Sequence, residues 1–110
     1  MINVQTGEQD GVKILTLSGR LDGDGSIRLH ERINEEIDYD KDSLLLDMSE
    51  VEYISSAGLR VLILATRTIK NEFGLCNPTS MVREVFTMTK LDRALFIYDD
   101  MAAAIQSMSD

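Results

Sequence analysis

Asp47-Met-Ser-Glu-Val-Glu-Tyr-Ile-Ser-Ser-Ala-Gly-Leu-Arg60 is the segment that decides the fold of this 110-residue chain. The apolar run Ser43-Leu-Leu-Leu-Asp47 leads into it, and a stretch with apolar residues at helical spacing leads out. The segment reads as the end of a strand, a short polar loop and the start of a long amphipathic helix. Two adjacent serines, Ser55 and Ser56, fall at that helix's N-terminus. A serine there accepts a hydrogen bond from a free backbone N–H of the first turn. A phosphate is also well tolerated there, because the helix dipole and the unpaired N–H groups favour an anion. It would act mainly on whatever docks at that helix end, so helix capping and a phosphorylation switch on a binding surface both stand as readings.

Working outward, the helix is expected from about 56 to 70, with Leu59, Leu62, Thr66 and Ile69 at helical spacing and Val61, Ile63 and Leu64 widening the apolar face. The continuous run Leu44 to Leu46 suits a central strand buried on both sides. On the N-terminal side, Val12 to Ser18 alternates as a strand does, and Ile2 to Gln5 can pair with it across the turn at Gly7 to Gly11. Gly19 to Gly25 reads as a glycine-rich loop, followed by a helix from about 26 to 37 with Leu29, Ile33 and Ile37 on one face. On the C-terminal side, Leu75-Cys76-Asn77 is a very short strand before Pro78. A helix over 81–89 turns Val82, Val85 and Phe86 inward, Leu95 to Tyr98 is a strand, and a last helix over 101–108 turns in Ala104, Ile105 and Met108. Strand–helix alternation after a first hairpin predicts one α/β domain over residues 1–110, with a mixed sheet of four to five strands, about four helices and a shortened fourth strand.

Composition narrows the function. The single cysteine, Cys76, excludes an internal disulfide and a cysteine metal cluster, and the single histidine, His30, excludes His-rich metal sites. A net charge of −8 argues against nucleic acid, which needs clustered Lys and Arg. The acidic crowd Glu35, Glu36, Asp38, Asp40 and Asp42 reads as a solvated face. No apolar stretch reaches the roughly 20 residues of a membrane span, and the N-terminus lacks the pattern of a signal peptide, so the expectation is a cytoplasmic protein without membrane insertion. Catalysis by a Ser–His–acid triad would need His30, which sits mid-helix. Asp22-Gly-Asp-Gly-Ser26 opens like a calcium loop, but its sixth position is Ile27 and its twelfth Ile33, so capping by Asp24 or Ser26 is the better account. A response-regulator receiver would need an acidic pair after its first strand, where this chain has Leu17-Ser-Gly-Arg20. No catalytic residue, cofactor or metal is expected.

Three stretches, in order and near register, carry a resemblance. Ser18-Gly-Arg-Leu-Asp22, then Leu44 to Arg60, then Val82-Arg-Glu-Val-Phe86 with Leu91-Asp92 and Phe96-Ile-Tyr-Asp99 together resemble the anti-sigma factor antagonists of the STAS family. The resemblance covers nearly the whole chain. It implies a bacterial transcription regulator that works by partner switching. The unphosphorylated domain binds an anti-sigma factor that is also a serine kinase; the kinase phosphorylates the helix-start serine, and a serine phosphatase reverses this. The phospho-acceptor falls on Ser56, with Ser55 as the alternative. Asp22, Ser55, Ala57, Gly58 and Arg60 are assigned to the partner surface, with Asp22 equally readable as a cap, Gly58 as a site of close backbone approach and Arg60 as a phosphate partner or a solvated helix residue. A constitutive STAS accessory subunit of a transport ATPase is the rival reading. This chain departs from the family pattern in three places: Ser55 where many members have aspartate, a shortened segment from Lys70 to Asn77, and Lys90 where glycine usually follows the third helix, so that this helix end should be capped differently.

Overall fold

The computed structural model describes residues 1–109. Strand β1 (Ile2–Gln9) turns at Asp10 and Gly11 into β2 (Val12–Leu21), and α1 (Gly23–Glu36) follows. Then come β3 (Ser43–Ile54), α2 (Ser56–Thr68), β4 (Phe73–Cys76), α3 (Ser80–Met88), a short 3-10 turn at Leu91–Arg93, β5 (Ile97–Tyr98) and α4 (Met101–Met108). The five strands lie in sequence order in one sheet, β1 antiparallel to β2 and the other neighbours parallel. The expected mixed α/β sheet is therefore present.

Every parallel crossover steps the same way along the sheet, so the usual right-handed connection puts α1, α2 and α3 on one face. The core follows this arrangement. Leu29 and Ile33 of α1, Leu62 and Ala65 of α2, and Val82 and Phe86 of α3 share one apolar cluster with Leu15, Leu17, Leu44, Leu46 and Leu75. The alternate strand residues Val12, Ile14, Leu45 and Cys76 face the other way and are covered by Ala104, Ile105 and Met108 of α4. Leu44, Leu45 and Leu46 are all fully buried because β3 is sandwiched here between helices on both faces.

Strand β3 departs most from expectation. The segment read as a polar loop, 48–54, continues the strand to Ile54. Thr16 pairs with Asp47 but Ser18 with Glu50, and Gly19 pairs with Val51 but Arg20 with Tyr53. Each mismatch inserts one extra residue into β3, a β-bulge that shifts the inward phase. The buried positions therefore run Met48, Val51, Ile54, a spacing of three that breaks the alternation by which a strand is recognised. At the β2 edge of this region Gly19 has φ +112, and a Cβ there would sit 2.2 Å from the Met1 carbonyl oxygen. Only glycine fits that approach.

Smaller differences follow local chemistry. Strand β1 runs to Gln9 rather than Gln5, and β2 runs to Leu21, which shrinks the glycine-rich loop to a single capping residue, Asp22. On α2, Ala65 is buried and Thr66 exposed, because Thr66 satisfies its hydroxyl on the Ile63 carbonyl at the surface. Strand β4 has four residues, all buried, and pairs with β3 and β5, so the shortened segment still completes the sheet. β5 is confined to Ile97–Tyr98, although the Phe96 carbonyl already accepts from Leu75 N–H at 2.9 Å. Lys90 takes the left-handed conformation itself (φ 63, ψ 17) and so occupies the glycine position without a different cap. In the acidic crowd, Glu35 and Glu36 pair with Arg32, and Asp40 pairs with Lys70.

Candidate partner-docking surface

Leu21 and Ile54 are register partners at the C-terminal ends of β2 and β3, so the two following helices start side by side. Each start is capped by the residue that leaves the strand. The Asp22 carboxylate accepts from Gly25 N–H at 2.8 Å and caps α1, in place of the expected Asp24 or Ser26. That bond, with smaller help from the N-terminal ammonium and Arg20, holds the Asp22 carboxyl below its usual pKa against a desolvation cost. Buried Ser26 instead donates its hydroxyl to the Asp22 carbonyl at 2.6 Å.

Ser55 caps α2. Its hydroxyl accepts from Gly58 N–H at 3.3 Å and donates to the Leu21 carbonyl at 2.8 Å, while its own N–H donates to the same carbonyl at 2.9 Å. One lone pair and the proton are committed, and they tie the helix start to the neighbouring strand. Ser56 is the first residue of α2, is exposed, and its hydroxyl makes no hydrogen bond among the described residues. The two adjacent serines are thus chemically distinct: one is a strut and the other is free.

The remaining assigned residues spread around this end. Ala57 is half-buried and Arg60 exposed, while Gly58 is buried. A Cβ on Gly58 would meet Ile54 Cγ1 at 2.8 Å and Leu21 Cβ and O at 3.1 Å, so the close backbone approach that this glycine permits is to β2 and β3 beneath the helix. Arg20 lies beside the cap with its guanidinium 4.3 Å from the centre of the Tyr53 ring.

An apolar groove runs between α1 and α2 from the serine end. Ser26, Ile27, His30 and Glu31 line one wall and Ala57, Arg60, Val61 and Leu64 the other, with Gly23 and Asp24 at the mouth. Ile27 is 62% exposed and Leu64 42%, an unusual exposure for two large aliphatic side chains facing one furrow. Sequence reasoning does not single out Ile27. Its signal is an isoleucine lying off the stripe of Leu29, Ile33 and Ile37, apolar with no core to enter. His30 is half-buried in this groove and bonds to no serine or carboxylate among the described residues. Among those residues, no group of three or more His, Cys, Asp or Glu is placed to hold a metal ion, and no helix is long and apolar enough to cross a membrane.

This architecture, a mixed five-stranded sheet with paired helix starts at the ends of β2 and β3, defines a class. The chain belongs to the STAS domain family, whose model matches residues 3–104. Among its relatives, BtrV of Bordetella bronchiseptica, provisionally named an anti-sigma factor antagonist, is 34% identical over 83 residues, covering 73% of this chain and 72% of that protein. The anti-sigma-F factor antagonist RsfB of Mycobacterium tuberculosis is 26% identical over 106 residues, covering 94% of this chain and 87% of its own. In three dimensions, an anti-sigma factor antagonist from Mycobacterium paratuberculosis superposes with a TM-score of 0.91 at 24% identity over 100% of this chain and 96% of that one, a likeness of fold.

Proposed function

We propose that this protein is an anti-sigma factor antagonist controlled by phosphorylation of Ser56. The family and the names of the relatives support the antagonist role, with an anti-sigma factor as the partner. The observation that carries the switch is the division between the two serines: Ser55 is locked into the α2 start, while Ser56 stands exposed with a free hydroxyl, one residue before Ala57 on the wall of an apolar groove. In this reading the unphosphorylated α1–α2 groove receives the anti-sigma factor, and Ile27 and Leu64 supply apolar contact. The partner is also the kinase. The Ser56 oxygen takes the γ-phosphoryl group of ATP as the β–γ phosphoanhydride bond breaks, and the hydroxyl proton passes to a base on the kinase. A phosphatase returns the phosphoryl group to water. The protein itself performs no catalysis.

The physical effect follows from charge. A phosphate adds about −1.5 to −2 at pH 7 to a domain already at −8, whose α1–α2 groove already carries Asp24 and Glu31. The first helical turn accommodates the anion, so the fold persists while docking of an acidic or desolvated surface is opposed. The test is calorimetric binding of Ser56→Asp to the cell's own anti-sigma factor. At least a tenfold loss of affinity with unchanged circular dichroism and melting temperature is expected; wild-type affinity would remove Ser56 as the switch.

A further inference from the structure

Resting on the reading of Ser56 as acceptor, we propose that Arg60 clamps the phosphate in cis and that this pairing draws its guanidinium off the α1–α2 groove. Arg60 lies four residues after Ser56 on α2, and side chains at that spacing are neighbours with Cβ atoms roughly 5–6 Å apart. Helical side chains lean toward the N-terminus, so the long Arg60 side chain projects over the turn that begins with Ser56. An anion at the first position and a cation four residues later is also the favourable order along a helix. The Arg60 guanidinium is uncommitted. It is exposed and forms no ion pair among the described residues, whereas Arg28, Arg32 and Arg83 each hold a carboxylate. The guanidinium of Arg20, near the end of β2, is stacked on Tyr53. A planar guanidinium binds two phosphate oxygens at once, which a lysine ammonium does not match.

Arg60 also lines the groove beside Ala57, Val61 and Leu64. In the unphosphorylated protein it offers a donor to a docked partner, facing Asp24, His30 and Glu31 across the furrow. Once it turns onto the phosphate, that donor is withdrawn. Modification then changes the docking face twice, by adding charge at Ser56 and by removing a cation from the groove wall.

The experiment installs phosphoserine at position 56 of the whole protein during translation, without a kinase, and follows the phosphate by phosphorus NMR as pH is varied. The phosphate's second pKa, ordinarily about 6, should be lower by about 0.3 of a pH unit in the wild type than in Arg60→Gln. Arg60→Lys should fall between them, and high salt should shrink the difference. The carboxylates and His30 on α1 are common to all three proteins and cancel in the comparison. The Arg60 Nε–H resonance should also shift on phosphorylation in the wild type. Superimposable titrations with an unmoved Arg60 resonance would overturn the clamp. Because the phosphate is supplied without a kinase, failure to find native phosphorylation at Ser56 counts against the proposed function alone.

Discussion

Ser55 and Ser56 differ by one position and by everything their hydroxyls do. The Ser55 hydroxyl bridges Gly58 N–H and the Leu21 carbonyl, so removing it unties a helix cap and a strand contact together. Ser55→Ala should cost about 1–2 kcal/mol, read as a melting temperature lowered by roughly 5 °C or more. Ser56→Ala, which removes a hydroxyl with no partner among the described residues, should melt within about a degree of wild type. Thermal denaturation of the two variants side by side decides this, and equal losses would mean that both hydroxyls are structural. In the sequence the helix start is legible and the choice between the serines is not. Either serine could serve as the cap, and only the placement of the Leu21 carbonyl selects Ser55 for it. Asp22 shows the same limit: its capping role follows from where β2 ends, a boundary that Gly23 and Gly25 blur in the sequence.

At the level of elements, α2 is held down by an absence of side chain. Gly58→Ala gains the helix propensity of alanine, worth about 1 kcal/mol, but pushes a methyl against Ile54 and against both side chain and backbone of Leu21. Overpacking of this kind typically costs about 1–3 kcal/mol, and the backbone oxygen cannot yield as a side-chain tip can. Urea unfolding should therefore show Gly58→Ala to be net destabilised, and the lifted helix start should also weaken partner binding; a stabilised variant would show that the helix shifts freely. The helices are legible in the sequence because their periodicity is regular: α4 matches its expected limits, and the inward residues of α1 and α3 are those anticipated. The second half of β3 is not, since its two bulges convert a period of two into steps of three and leave polar residues in a strand. The groove is half legible, with Leu64 recognisable as apolar and its exposure dependent on how closely α1 packs beside it.

For the whole molecule, the sheet divides two unequal apolar layers, and Cys76 lies in the smaller one under α4. Burial first, then the nearby carboxylates of Asp47 and Asp100, pushes its thiol up to about 12 from 9.0. A raised pKa means that the fold holds the neutral thiol, so this contribution is intact below pH 9 and is lost as pH rises toward 12. Stability measured by urea unfolding should fall above pH 9, with at most about 1.4 kcal/mol per pH unit traceable to this group. Cys76→Ala should lack that component; parallel pH profiles for the two proteins would refute it. The layered architecture itself is visible from the strand–helix alternation, while the assignment of Cys76 to the second layer needs the strand register. That register also has a consequence for how such a chain can change length over evolution. Each extra residue in β3 is absorbed at its own bulge: Met48, Val51 and Ile54 all face the same layer across successive steps of three. Loss of the extra residue at either bulge would restore an ordinary step of two there and leave Val51 and Ile54 facing inward, with Ser55 still at the helix start. Lineages of this domain should therefore gain or lose residues in that stretch one at a time, at the bulges, without turning the strand over.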